Sequence, residues 1–283
     1  MKKILLATFL IAASASAVEA QQKPTLKLPA LSTTSKTVQD FSTGSIELTY
    51  SRPSARGRKV FGELVPYGAN WRTGANSNTK IKFSEDVIIG GKRVKAGEYS
   101  LYSVPTEGDW TIILNSSTAN WGTMGYDKAK DVARFKAASY YLNAKVETYT
   151  MQFTNISYDK CNLELTWEYT KVVIPIEADN EAQIAKNIKK ALNGKKDAPY
   201  FQVANYYNER NENLDKAYEY VNKAIKDNPK AYYMYYLKAR IAQKLDMVDE
   251  AIQAANKSIE VAKGTPNEAE YRRVNMKIIR ELE

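Results

Sequence analysis

The sequence has 283 residues and a formal net charge of +9, with 41 lysines and arginines against 32 aspartates and glutamates. This length is enough for two modest domains, each with its own core. Histidine is absent and cysteine occurs once, which excludes histidine-based acid–base catalysis, most zinc and copper sites, and an internal disulfide. We expect no cofactor and no metal, and we expect Cys161 to be a half-buried, inert thiol.

Residues 1–20 have the composition of a cleaved secretory signal. Lys2 and Lys3 precede an apolar run that extends to Ala17, and a further small residue follows at Ala20. The run is too short to span a bilayer comfortably. We predict cleavage after Ala20, with Ala17 as the second choice. The protein is then expected in the periplasm or cell envelope, with no transmembrane segment and no nucleic-acid partner.

Short runs of alternating apolar and polar residues dominate the region after the signal. Residues 21–39 are rich in Pro, Ser, Thr and Lys and predict an extended leader that joins the sheet only near its end. Within 40–177, the clearest run places Leu163, Leu165 and Trp167 on one face. Many such strands, without long helices between them, predict an antiparallel β-sandwich.

Three short segments of this β region depart from the alternating pattern. The dipeptide Gly90-Gly91 predicts a hairpin, because both turn positions accept positive φ. A loop over 116–125 carries Trp121. Residues 128–136 fit either a short helix or a charged edge strand.

We expect the rest of the β region to be arranged around residues 51–79. It is too rich in Gly, Pro and Arg for a regular strand or helix, and within 51–82 the one acidic residue is Glu63. Guanidinium groups beside aromatic rings suit a carboxylate, phosphate or sulfated ligand, because Arg donates two parallel hydrogen bonds and also stacks. The candidate ligand-binding residues are Arg52, Arg58, Trp71, Arg72 and Asn76.

Two other interpretations of this stretch stay open. Arginine in a Gly-rich turn often ties the loop to its own carbonyls, and Trp71 could plug the core of the β domain. Alternatively, Ser51 or Ser54 with Lys59 could act as a histidine-independent nucleophile and base. The spacing gives no mechanical reason for such a pair, and no catalytic residue is assigned.

After Glu177 the composition shifts to Ala, Lys, Glu and Asn, and the period becomes helical. A helix is predicted over 181–192. Ala217 recurs as Ala251, a step of 34 residues, which is the period of tetratricopeptide hairpins. Residues 178–283 therefore predict a tetratricopeptide-like region, docked on the β domain because two repeats alone bury too little. The tyrosines expected to pack these helices, with a surplus to line a groove for a protein or peptide partner, are Tyr206, Tyr207, Tyr232, Tyr233, Tyr235 and Tyr236.

Several motifs together carry a family resemblance. They are Ser51-Arg52-Pro53, Gly57-Arg58, Phe61-Gly62, Val65-Pro66, Trp71-Arg72-Thr73-Gly74-Ala75-Asn76, and the segments 95–101 and 110–115. This set resembles a family of exported bacterial proteins known as domain of unknown function 2911, over residues 37–177. The resemblance implies an envelope protein of Bacteroidetes-type bacteria, often with a helical tail. It brings no established activity, substrate or catalytic residue.

The sequence as a whole predicts a non-catalytic binding or scaffold protein. The basic loop would bind an anionic small ligand or glycan, and the helical region would contact a protein or peptide. The alternatives are a histidine-independent hydrolase acting in the same loop, and a loop that is purely structural.

Overall fold

A computed structural model describes residues 28–193 and 198–283. The predicted signal peptide, residues 1–20, lies outside them. The strands are β1 Thr33–Phe41, β2 Gly44–Arg52, β3 Thr79–Phe83, β4 Val87–Ile89, β5 Lys92–Val94, β6 Gly97–Val104, β7 Trp110–Asn115, β8 Asp131–Thr154 and β9 Lys160–Ala178. The helices are α1 Glu181–Leu192, α2 Tyr200–Arg210, α3 Leu214–Asp227, α4 Tyr232–Lys244, α5 Val248–Ala262 and α6 Glu268–Leu282.

The strands of the described chain form one nine-stranded antiparallel sheet that is not closed. Its order is β1-β2-β3-β6-β7-β8-β9-β4-β5. The 24-residue strand β8 gives the sheet its continuity. Its first residues pair with β7, and from Ala138 onward it pairs with β9. One long strand therefore joins what would otherwise be two separate sheets.

The sheet folds over on itself, and the core lies between its two halves. Strands β2 and β8 are not neighbours in the sheet, yet the hydroxyl of Tyr50 accepts from the Met151 amide at 2.8 Å and donates to the Met151 carbonyl at 3.2 Å. The rings of Tyr50 and Tyr149 meet edge to face at 5.8 Å. Side chains that alternate inward from both halves therefore share one apolar core.

The antiparallel β architecture predicted from alternation is confirmed, but the strands form one continuous sheet and not the two sheets of the predicted sandwich. Hydrophobic alternation reports which face is buried and carries no information on where one sheet ends. The Gly90-Gly91 hairpin is confirmed, with φ of +54° and +75°. Residues 128–136 contain a 3₁₀ turn over Lys128–Lys130 followed by the start of β8, which lies inside the sheet and is not the charged edge strand of the second prediction. Strand β1 already begins within the segment predicted as a leader.

The C-terminal region consists of the six helices. Helix α1 occupies the predicted range of 181–192. The small residues identified from the step in the sequence are buried at the helix contacts, with Ala217 in α3 and Ala251 in α5 both fully inaccessible. Ala217 is buried together with larger apolar residues of α4, such as Leu237 and Ile241. Close helix packing at these positions follows directly from the absence of bulky side chains.

One ion-pair cluster ties the helices to the sheet. Arg210, at the end of α2, donates to Asp159 in the turn before β9 at 2.8 Å and to both oxygens of Glu212 at 3.0 Å. Its side chain is only 14% exposed. The Tyr206 ring lies beneath the guanidinium at 5.7 Å and meets Tyr158 edge to face. The sheet and the start of the helical region are therefore held together by specific polar contacts.

Candidate functional site

The loop between β2 and β3 is built around Trp71. Its ring lies 5.2–6.1 Å from four other rings, and the closest to parallel is Trp167 at 6.0 Å. The other three are Phe61, Trp110 and Tyr149. Its backbone pairs with Ser103 of β6, and its indole nitrogen donates to the Gly74 carbonyl at 3.0 Å. Trp71 is therefore a central core residue and not part of an open surface.

The turn after Trp71 needs glycine for a steric reason. A Cβ on Gly74 would lie 3.0 Å from the Ser51 carbonyl oxygen and 3.0 Å from the hydroxyl of Thr79. The neighbouring Thr73 is fully buried and donates to Ser103, while its own carbonyl accepts from Thr79. The run from Trp71 to Asn76 is thus fastened to β2, β3 and β6 by close approach and hydrogen bonds.

Two of the candidate arginines bond to main-chain carbonyls. Arg52 donates to the Tyr149 carbonyl at 3.2 Å and to the Thr150 hydroxyl at 2.9 Å, both on β8. Arg58 donates to the carbonyls of Ala55 and Ser54, both at 2.9 Å. These contacts fix the loop against the folded-over sheet and against itself. They correspond to the structural interpretation of these two residues.

Arg72 and Asn76 are brought together at the outer side of the loop. Arg72 Nη1 donates to the Asn76 carbonyl at 2.6 Å, and the Asn76 side chain donates to the Ser32 carbonyl at 3.1 Å. Asn76 has φ of +58°, a conformation that asparagine tolerates better than most residues. Arg72 forms no ion pair with any carboxylate of the described residues.

A second loop, residues 116–127, supplies the residue that sequence reasoning did not connect with Arg72. A Cβ on Gly122 would lie 2.9 Å from Arg72 Cζ, so the guanidinium lies directly against this glycine. The preceding residue, Trp121, is 61% exposed, and Met124 is 76% exposed. The Met124 amide donates to the Trp121 carbonyl at 3.2 Å, which closes a tight turn. We call the pair of side chains the Arg72–Trp121 surface.

A polar network holds the 116–127 loop on the sheet. The Tyr126 hydroxyl donates to Asp131 at 2.8 Å, and Arg134 donates to the same carboxylate at 2.9 Å. Asn115 donates to the other oxygen of Asp131 at 2.9 Å. Burial, followed by the hydrogen bond to Asp131, raises the pKa of Tyr126. The loop that carries Trp121 is therefore anchored to the sheet.

The contacts needed by the hydrolase alternative are not formed. Lys59 pairs with Glu63 at 3.8 Å, and the Ser54 hydroxyl bonds with Thr148 at 3.0 Å. Ser51 is buried, and its nearest polar partner is the Asn76 amide at 3.5 Å. No hydrogen bond links Lys59 to either serine.

Residues 28–193 and 198–283 contain no group of three or more acidic or cysteine side chains placed to hold a metal ion. No helix in them is long and apolar enough to cross a membrane. Cys161 is almost fully inaccessible, and burial raises the pKa of its thiol to about 11.

The fold and the site together define a protein with an open antiparallel sheet, an arginine-rich loop packed around Trp71, and a C-terminal helical region. Residues 32–176 match the family described as a protein of unknown function, DUF2911, and the chain belongs to this family. The match spans strands β1 to β9 and confirms the resemblance carried by the loop motifs. No curated protein and no solved structure matches the chain.

Proposed function

We propose that this chain is an exported, non-catalytic binding protein of the cell envelope. In this proposal the Arg72–Trp121 surface binds an anionic glycan, and the helical region is a tetratricopeptide-like scaffold that contacts a protein or peptide. The observation that carries the proposal is the position of Arg72. Its guanidinium is fixed by a carbonyl, lacks a carboxylate partner within the described chain, and lies against Gly122, the residue that follows the exposed Trp121.

This arrangement matches the chemistry of an acidic sugar. A carboxylate or sulfate accepts charge-assisted hydrogen bonds from a guanidinium that is not already neutralised. The indole face is apolar and electron-rich, so the C–H face of a sugar ring packs against it. Both side chains are attached to anchored loops, and such preorganisation lowers the entropy cost of binding. Exposing an indole to water also has a cost, which a ligand would remove.

The proposal divides the candidate residues into two roles. Arg52, Arg58 and Trp71 act as scaffold, because their hydrogen bonds and ring contacts are directed into the protein. Arg72 contacts the ligand, and Asn76 positions it through the carbonyl that accepts from Nη1.

The tetratricopeptide-like part of the proposal rests on recurring burial. Val221 and Ala255 are fully buried, and so are Ala217 and Ala251, at positions 34 residues apart. Helices α2 and α3, and then α4 and α5, are joined by short turns whose Asn211 and Leu245 amides bond back to the preceding helix. Stacked helical hairpins of this kind present extended surfaces to peptides.

The test is equilibrium binding of a heparin-derived hexasaccharide and of oligogalacturonate, with neutral maltohexaose for comparison. We expect the anionic sugars to bind and maltohexaose not to bind. Arg72→Gln should weaken binding about tenfold or more, because a hydrogen bond to a charged group contributes about 1.5–3 kcal/mol. Trp121→Ala should weaken binding by a similar factor, because it removes the stacking face.

Two control variants test whether removing any exposed arginine or aromatic ring weakens binding as much as changing the Arg72–Trp121 surface does. Arg272→Gln removes an exposed arginine from α6, and Tyr141→Ala removes a tyrosine that is 77% exposed on β8. Both should bind like the wild type. Equal losses in the control variants, or no loss in Arg72→Gln and Trp121→Ala, would refute the assignment of the site.

A further inference from the structure

Helix α1 carries an apolar stripe that the fold leaves only half-buried. Ile184, Ile188 and Leu192 recur every fourth residue and therefore lie on one face. None of the residues of α1 is buried, whereas each of the helices α2 to α6 buries at least three. Most of the stability of an amphipathic helix comes from packing its apolar face. This face therefore has room for a further apolar partner.

Ile184 and Ile188 of this stripe line a chamber between α1, α2 and the turn that joins β1 to β2. The chamber has a volume of about 280 Å³. Its lining residues are Ser42, Thr43, Tyr158, Ile184, Ile188, Gln202, Val203 and Tyr206. Two isoleucines, a valine and two tyrosine rings make its walls largely apolar, so it favours a large apolar side chain.

The chamber opens into a larger cleft of about 590 Å³ that shares Tyr158, Ile184 and Tyr206 with it. The carboxylates along this cleft are Asp159, Glu177, Asp179, Glu181, Glu209 and Glu212, and the basic residues are Arg93, Lys160 and Arg210. Acidic residues therefore predominate here, in a chain whose formal net charge is +9. A concave surface lined mainly by one sign of charge concentrates ligands of the opposite sign.

The carboxylates of the cleft differ in their availability to an incoming cation. Arg210 holds Asp159 and Glu212, Arg240 holds Glu209 at 2.7 Å, and Arg93 holds Asp179 at 3.1 Å. Glu181 forms no ion pair with another residue of the described chain. Glu177 is paired with Lys160 at 3.5 Å, and both side chains are largely exposed. Exposed pairs of this kind contribute little, so a cationic ligand could replace the lysine at small cost.

We propose that the chamber and the cleft together receive a basic segment of a partner protein. One large apolar side chain of the segment enters the chamber and buries Ile184 and Ile188. Lysine or arginine side chains on either side of it meet Glu181 and Glu177. This site is separate from the Arg72–Trp121 surface and has the opposite charge preference.

The test uses fluorescence anisotropy with the labelled peptide Lys-Lys-Phe-Lys-Lys. Two peptides of the same length isolate each requirement, Glu-Glu-Phe-Glu-Glu for charge and Lys-Lys-Gly-Lys-Lys for the apolar side chain. We expect the first peptide to bind at least about tenfold more tightly than the other two. Its affinity should fall as salt rises from 50 to 300 mM, because exposed charges are screened. The net positive charge of the protein opposes nonspecific attraction of a lysine peptide.

Two variants locate the binding on the protein. Ile184→Gln removes an apolar wall, and we expect it to weaken Lys-Lys-Phe-Lys-Lys binding about five- to tenfold. Glu181→Lys should weaken it about two- to fivefold. Glu270→Lys makes the same charge change on α6 and should have no effect. Both α1 variants replace residues that are not buried, so melting temperatures near that of the wild type are expected and serve as the folding check.

Three results would overturn the proposal. One is equal binding of the lysine and glutamate peptides, which would remove the role of charge. Another is wild-type affinity in both Ile184→Gln and Glu181→Lys, which would place the binding elsewhere. The third is the absence of any binding of Lys-Lys-Phe-Lys-Lys up to millimolar concentration, which would leave the cleft without the stated partner.

Discussion

Truncation of Trp71 should be among the most destabilising single substitutions in the sheet. The side chain is 8% exposed and touches four aromatic rings. Replacing a buried tryptophan with alanine costs about 3–5 kcal/mol, and edge-to-face and stacked ring contacts add to the loss. We therefore expect Trp71→Ala to lower the free energy of unfolding by about 5 kcal/mol. Trp71→Phe keeps a ring but leaves the Gly74 carbonyl without its indole donor, which should cost about 2 kcal/mol.

The assay is urea unfolding followed by far-UV circular dichroism, because tryptophan fluorescence itself changes in these variants. Trp121→Ala is the matched control, since it removes the same side chain from an exposed position, and it should change stability by less than about 0.5 kcal/mol. Trp71→Phe keeps the test informative if Trp71→Ala does not fold. Losses of equal size for Trp71 and Trp121, or a loss below about 1 kcal/mol for Trp71→Ala, would refute the view that the loop is organised around Trp71.

Three further predictions concern packing, thiol chemistry and the junction with the helices. Gly74→Ala should lower the free energy of unfolding, measured by urea denaturation, by about 1–3 kcal/mol, because the new methyl group meets the Ser51 carbonyl. Cys161, with its pKa raised to about 11 by burial, should react with iodoacetamide at pH 8 about a hundredfold more slowly in the native protein than in urea. Arg210→Ala should speed amide hydrogen exchange in the turn containing Asp159, and unchanged exchange would contradict the proposed tie between sheet and helices.

Local periodicity was enough to predict the strands but not their assembly. Leu163, Leu165 and Trp167 alternate with polar residues and are all buried on one face of β9, because a pleated strand presents successive side chains to opposite sides. The length of β8 was not predictable in the same way. Exposed and half-buried residues around its register shift between Tyr141 and Val146 weaken the alternation. The continuity of the sheet therefore depends on backbone pairing that the residue pattern does not reveal.

The candidate site, like the sheet, could be predicted only in part from the residue pattern. The composition of the 51–79 loop correctly indicated an ordered, non-regular segment, and the indole of Trp71 indeed plugs the core, as one interpretation of the sequence had it. The partnership of Arg72 with the Trp121 loop depends on a tertiary contact with Gly122, about fifty residues away in sequence. The nearest available signal was the pair of glycines on either side of the exposed Thr123 and Met124, Gly122 and Gly125. Such a signal predicts a turn but not what the turn packs against.

In the proposed function, a buried scaffold presents Arg72 and Trp121 to an anionic ligand. The most direct test measures the melting temperatures of the wild type, Arg72→Gln and Trp121→Ala with and without a saturating anionic hexasaccharide. A ligand at a hundred times its dissociation constant stabilises the folded state by about 2.7 kcal/mol. Without ligand, Trp121→Ala should melt at the same temperature as the wild type. With ligand, the stabilisation of Trp121→Ala and of Arg72→Gln should fall to about 1.4 kcal/mol or less, because a tenfold weaker dissociation constant leaves the ligand at only about ten times that constant. A full shift in both variants would contradict the proposed function.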